Sequence, residues 1–216
     1  MPAISNYIYH AALTKNEEHF KYGHDLLQDL SHEEEFFDFF IKHISYTRYL
    51  ELAYHTDNFP LMKEYLTLAI DLIDNHIDQF EEAQVQYLYL TVVKSCVALK
   101  DYSLGMRYSN LWHQRGTLAY DKVQARLLSM LLHFSVNYND LVQSEVITLK
   151  KMIKNNKREK RLINCFCTFF NSMINYPEQK ASFISTLQNE LKAISKIKSA
   201  SSSFIYFDYY KWSLQL

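Results

Sequence analysis

The chain has 216 residues, 48% hydrophobic and 22% charged, which is enough apolar material for a sizeable core and excludes a disordered polypeptide. Three Gly and three Pro are too few to give an all-β protein a turn every 8–12 residues or so, which makes helix the default. Basic and acidic side chains number 23 and 24, and the net charge of −1 exerts no global pull toward nucleic acid or an anionic membrane.

The N-terminal stretch MPAISNYIYHAALTKNEEHF lacks a basic start followed by a long apolar run, so no signal peptide is expected. No segment approaches the roughly 18 apolar residues of a membrane span. Three Cys, with no Cys-x-x-Cys, point to the reduced cytoplasm. Residues 3–30 carry two short helical patterns and read as a degenerate first hairpin around Lys15-Asn16. Ser31-His32-Glu33-Glu34 has the form of a capping box that starts the first clear unit near residue 32.

From there a pattern recurs. An Asn or Asp stands beside an aromatic between two helical stretches in HTDNFPLMKEYL, LKDYSLGMRYSN, VNYNDLVQSEV and MINYPEQKASF. The aromatics are Phe59, Tyr102, Tyr138 and Tyr176, separated by 43, 36 and 38 residues, the period of stacked two-helix repeats. Thirteen, ten and six residues before them stand Tyr46, Tyr49 and Ala53; Tyr89, Val92 and Cys96; Ala125, Leu128 and Leu132; and Ile163, Phe166 and Phe170. All are apolar or aromatic, and offsets of three and four place each set on one helix face.

Pro60 and Pro177 suit the first turn of a second helix, and Gly116 and Asn155-Asn156 mark breaks between units. KSASSSF (198–204) is the one Ser-rich, loop-like stretch, and a short aromatic helix follows it. There Phe204, Phe207 and Trp212 would cover the last unit's apolar face, since repeat arrays need capped ends. The expected fold is all-α, an antiparallel helix-hairpin, tetratricopeptide-like α-solenoid with a C-terminal capping helix. Its parts are N-terminal helices at 1–31, four hairpin repeats at 32–197, and a linker with the capping helix at 198–216.

Two segments, VQARLLSMLLHFSVNYNDLVQSEVITLKKMIKNNKREKRL and YFDYYKWSLQL, are similar to the C-terminal region of a family of tetratricopeptide-like proteins common in Bacteroidetes. In that family too an Arg-Leu-Leu helix leads to an Asn-Tyr turn and a basic connection, and the chain ends near a Tyr-Phe-Asp…Trp helix. The resemblance covers roughly residues 35–216. Members are often longer at the N-terminus, so this chain reads as a short form or a fragment. The family has no assigned activity; the resemblance implies the fold.

Signals for chemistry are weak. His32, Glu35 and Asp38, with His43 beyond, stand at helical spacing but read first as an acidic opening turn. Asp71, Asp74 and Asp78 lack the ligand spacing of a calcium loop. Cys165 and Cys167 would face different ways on a helix. There is no His-Glu-x-x-His, phosphate loop or nucleophile elbow, so neither an enzyme nor a metal or other cofactor is expected.

Two binding surfaces remain. If the units stack as tetratricopeptide repeats do, the concave groove takes the residues twelve, eight and five before each turn aromatic. These are Thr47, Glu51 and Tyr54; Leu90, Lys94 and Val97; Arg126, Met130 and His133; and Asn164, Thr168 and Asn171. The groove candidates are Glu51, Tyr54, Lys94, Arg126, His133, Asn164, Thr168 and Asn171. Arg126, Asn164 and Asn171 would hold a peptide backbone or carboxylate. Leu90 and Met130 depart from the Lys/Asn carboxylate clamp of chaperone-binding tetratricopeptide domains. The leading expectation is thus a non-catalytic scaffold for a protein or peptide. The alternative is a nucleic-acid- or anion-binding regulator acting through 150–161, where Lys150, Lys151, Lys154, Lys157, Arg158, Lys160 and Arg161 are concentrated.

Overall fold

A computed structural model of the chain describes residues 2–30, 37–116, 122–153, 159–196 and 207–216. Among them the regular elements are all helical, with no strand. They are α1 (Pro2–Leu13), α2 (Glu17–Asp29), α3 (Phe37–Thr56), α4 (Phe59–His76), α5 (Glu82–Leu99), α6 (Tyr102–Arg115), α7 (Lys122–Ser135), α8 (Asn139–Met152), α9 (Lys160–Asn175), α10 (Lys180–Ser195) and α11 (Tyr209–Ser213). Two compact units divide the chain, Met1–Arg115 with α1–α6 and Gly116–Leu216 with α7–α11. No described helix is long and apolar enough to cross a membrane.

The helices pair in chain order, α1 with α2, α3 with α4 and α5 with α6 in the first unit, α7 with α8 and α9 with α10 in the second. The hairpin corners are built alike. A non-glycine residue takes the left-handed conformation at Lys15 (φ 56°), Asp57 (φ 58°), Lys100 (φ 60°) and Asn137 (φ 63°). The next residue's N–H then reaches back to a carbonyl of the finished helix: Asn16 to Ala11, Asn58 to Ala53, Asp101 to Cys96 and Tyr138 to His133, at 2.9–3.0 Å. Such back-bonding satisfies carbonyls that a helix end otherwise orphans. At three corners the same residue caps the next helix, as Asn16, Asn58 and Asp101 accept from the N–H of His19, Leu61 and Leu104.

These corners correct one register. Phe59 and Tyr102 open their helices, one place beyond the capping Asn58 and Asp101, whereas Tyr138 itself sits at the cap, directly after the left-handed Asn137. The α7/α8 corner is therefore displaced by one residue from the alignment on aromatics. The α9/α10 corner is built differently, with Tyr176 at φ −138° and a 3₁₀ turn at Pro177–Gln179.

The stripe residues of the repeats are core. Ala53, Val92, Cys96, Ala125, Leu128, Leu132, Ile163, Phe166 and Phe170 are all fully buried and Tyr89 nearly so, while Tyr46 and Tyr49 are half-buried. In the first unit, Trp112 donates its indole N–H to Gln86, and Tyr108 donates to Asp74 at 2.9 Å. Arg107 and Arg115 pair with Asp74 and Asp78, so these aspartates, which precede no calcium loop, tie α4 and the turn after it to α6. Gly105 is buried on α6, and at Gly23 of α2 a Cβ would lie 2.7 Å from the Ile8 side chain.

In the second unit, α11 packs on α10 and lays Tyr209 and Trp212 against Phe166, with Trp212 also beside Phe170. The buried Tyr209 hydroxyl donates to Gln124 of α7 at 2.9 Å. Phe207 and Trp212 are buried; Phe204, the Ser-rich stretch and the Ser31–Glu34 capping box lie outside the described residues. A capping box does occur at the start of α5, where Gln84 accepts from the Glu81 N–H at 2.9 Å.

His43 is 5% exposed, its Nε2 set 3.0 Å from the Gln84 carbonyl so that the Nε2–H tautomer donates. Burial holds its pKa at about 4, below the usual 6.5, the carbonyl opposing and Arg48 assisting. The unfolded ring takes a proton first, so this group's stability is complete above pH 6.5 and is lost as the pH falls to about 4. The expected loss in that window is on the order of 3 kcal/mol. Urea unfolding of wild type and His43→Gln from pH 7 to 4 checks it. The variant should lose less than wild type, and parallel profiles would place the ring in solvent.

Candidate functional site

The eight groove candidates separate into an interior cluster, two residues of α7 and an open groove. Glu51 and Tyr54 of α3 and Lys94 of α5 do not line a concave surface; all three are buried. Residues 88–97 of α5 are buried without a break, so that stretch has no open face, and Leu90, Lys94 and Val97 cannot contact a peptide from solvent.

What the first unit builds there is a buried polar network. Lys94 Nζ lies 2.6 Å from Glu51 Oε2 and 4.6 Å from the centre of the Tyr54 ring. The Tyr87 hydroxyl donates to Glu51 at 3.1 Å, and His55 Nε2 stands 3.5 Å from the same carboxylate. Arg48 donates to the Tyr87 hydroxyl at 2.7 Å and to Ser5 of α1 at 3.1 Å, its guanidinium stacked over Tyr9 and Tyr87. Burial alone would push the Glu51 carboxyl up, but Lys94 and His55 outweigh it and hold it near 2. Burial pulls Lys94 the other way, toward the neutral amine, with Glu51 opposing. Glu51 has three partners, so the ionised pair is the state the geometry supports. Every polar head in this network joins one of α1, α3 and α5 to another or lies beside that joint, which gives it a structural role.

Arg126 is likewise engaged, paired at 2.9 Å with Glu145 of α8, whose carboxyl burial raises against the opposing pull of Arg126. His133 is half-buried about two turns further along α7, its pKa lowered by burial. Asn171 is half-buried on α9.

Asn164 and Thr168 are exposed, and they line a groove of about 550 Å³ between α9 and α10. Lys160, Arg161 and Cys165 continue its α9 wall; Phe183, Leu187 and Glu190 form the α10 wall, and Phe169 lies between. The floor is apolar, with Phe169 and Leu187 buried, and the rim is polar. Arg161 pairs with Glu190 across it at 3.1 Å. Two candidate sets meet here, because Lys160 and Arg161 were singled out by charge and Asn164 and Thr168 by repeat position. Lys150 and Lys151 stand exposed at the end of α8, and Lys154, Lys157 and Arg158 lie outside the described residues.

The α10 wall was missed. Phe183 and Leu187, four residues apart, share a helix face, and that spacing marks an apolar stripe that the sequence reading did not assign. The three thiols are free, and burial pushes Cys96, Cys165 and Cys167 up to about 12, 12 and 11, which keeps them protonated at neutral pH. Asp38 is paired with Lys42 at 2.6 Å and His43 points inward, while His32 and Glu35 lie outside the described residues. Among the described residues no three His, Cys, Asp or Glu side chains could share a metal ion.

Removing one partner of a buried ion pair strands a charge, at a cost of about 3–5 kcal/mol, whereas an apolar replacement of both is often close to neutral. Lys94→Met is accordingly expected to destabilise the chain by that amount, and Glu51→Leu/Lys94→Met to recover most of it. A double-mutant cycle by urea unfolding measures this, and additive effects of the two substitutions would contradict the pairing.

No family model matches the chain, and no curated protein or solved structure matches it.

Proposed function

We propose that this chain is a non-catalytic interaction module, a tetratricopeptide-like solenoid related to the Bacteroidetes proteins it resembles, that binds a protein or peptide in the α9/α10 groove. The observation that carries this reading is the groove itself, with an apolar floor of Phe169 and Leu187 and a rim of Lys160, Asn164 and Thr168 that reaches solvent. Concave apolar sites with a few convergent polar groups are where ligands bind by default. The site is confined to this one hairpin and does not run along all four first helices, because Glu51, Tyr54 and Lys94 are interior.

The experiment is site-specific photo-cross-linking in a lysate of the native cells. A benzophenone amino acid replaces Thr168 in the groove or, as control, the exposed Gln143 on α8. A discrete protein adduct at Thr168 that is missing at Gln143 is expected. Identical adduct patterns at the two positions, or none at Thr168, would remove the groove as the binding site. A nucleic-acid adduct at Thr168 would favour the anion-binding alternative through the basic segment.

A further inference from the structure

The first unit shows what fills the corresponding face of an earlier hairpin. There α5 packs on both α3 and α4. His43, Arg48 and Glu51 of α3 meet, in order, the Gln84 carbonyl, Tyr87 and Lys94 of α5. Residue numbers rise together along the two helices, so α5 runs parallel to α3. The acidic start of α5, Glu81-Glu82, lies just before the residue that meets His43.

When α3 and α9 are aligned on their corner aromatics, Phe59 and Tyr176, the α3 stretch from His43 to Glu51, whose two ends meet α5, falls on the α9 residues of the groove. His43, Ile44, Thr47 and Glu51 become Lys160, Arg161, Asn164 and Thr168. The first four are buried and the second four exposed. The second helices repeat the contrast, since Ala69 and Ile73 are buried on α4 and their counterparts Thr186 and Glu190 are exposed on α10. The residues of α9 that pack inward are others. Phe166 and Phe170 meet α11, and Cys167 meets the Val146 carbonyl of α8. Thus α8 and α11 cover one side of the α9/α10 hairpin, and its opposite side keeps the shape that elsewhere receives a helix.

The chemistry of that side differs from α3 in a way that selects the occupant. Where α3 presents His43 to a backbone carbonyl, α9 presents Lys160 in its first turn, beside Arg161 and at the positive pole of the helix. A helix lying parallel to α9 brings its own N-terminal turn to that point, and acidic residues there are favoured by both helices. Further along, Phe169, Phe183 and Leu187 offer apolar surface over about two turns.

We propose that the α9/α10 groove receives an amphipathic helix of a partner protein, parallel to α9, with an acidic first turn over Lys160 and Arg161 and apolar residues at i, i+3 or i+4, and i+7 over Phe169, Phe183 and Leu187. This rests on the reading of the groove as the binding site and names what fills it. The recognition is helix-in-groove, with the apolar stripe anchoring and the charges orienting.

The test is selection of a displayed, helix-biased random peptide library on the full chain. It is repeated on Thr168→Trp, which fills the groove, and on Lys160→Glu/Arg161→Glu, which reverses its charge. All three positions are exposed, and circular dichroism verifies each variant's helicity. The expected result is enrichment of peptides with two or more acidic residues ahead of an i, i+3/i+4, i+7 apolar stripe, whose affinity falls by about tenfold or more on each variant. Groove-dependent peptides without the acidic turn, or indifferent to charge reversal, would overturn the inference and leave the groove as the binding site. Absence of groove-dependent peptides alongside a Thr168 cross-link would do the same. Absence of both would overturn inference and site together. Sedimentation of the chain alone completes the test. A dimer dissolved by Thr168→Trp would make a second copy the occupant and overturn the partner helix.

Discussion

Helix α3 buries more of its surface than its own hairpin partner covers, and it is flanked by further helices. In the first unit α3 is held by α4, by α1 and by α5, and residues 88–97 of α5 have no exposed side at all. Burial of apolar surface supplies the driving force, at about 25 cal/mol per Å². It is not selective about register. Selectivity comes from the polar groups taken inside with it. Arg48, Glu51, Tyr87 and Lys94 satisfy one another only when α1, α3 and α5 are in their observed alignment, since a shift by one residue would leave buried charges without partners.

The same constraint explains what could be read from the amino-acid order and what could not. The apolar stripe was legible because Ala53, Cys96 and Phe170 recur at fixed distances from a turn aromatic, and helical spacing alone places such residues on one face. The corner chemistry was legible at Asn58 and Asp101, whose side chains cap the next helix. It failed at Tyr138, because an aromatic beside an Asn looks the same in sequence whether it opens the helix or caps it, and the left-handed Asn137 decides. Whether a polar residue faces solvent was not legible. Thr47, Glu51 and Lys94 have the polarity of an open face and lie inside, because their partners come from helices 36 or more residues away or from a carbonyl in their own helix. Sequence periodicity carries no information on those pairings.

The second unit shows the constraint from the other side. Its last hairpin is covered by α8 and α11 through Phe166, Cys167 and Phe170, and that arrangement consumes the Tyr209 and Trp212 rings. The opposite wall, from Lys160 to Ser172 on α9 and from Phe183 to Glu190 on α10, has the layout of a helix-receiving surface with side chains adapted to water and charge at the rim. Architecture and binding are then one problem: the packing that closes the α3/α4 hairpin with α5 has no counterpart on this side of α9/α10 among the described residues.

The openness of that wall in the free protein is the claim on which the account turns, and the native thiols report it. Cys165 lines the groove and is partly exposed, whereas Cys96 and Cys167 are buried, and burial raises all three thiols to about 11 or 12, so access rather than acidity orders their reactivity. Mass-spectrometric mapping of N-ethylmaleimide modification under native conditions measures the order. Modification of Cys165 well ahead of the other two, at a rate proportional to reagent concentration, is the predicted result. Simultaneous modification of all three at a rate set by unfolding would mean that the wall is closed and that the α9/α10 groove is not available to a partner.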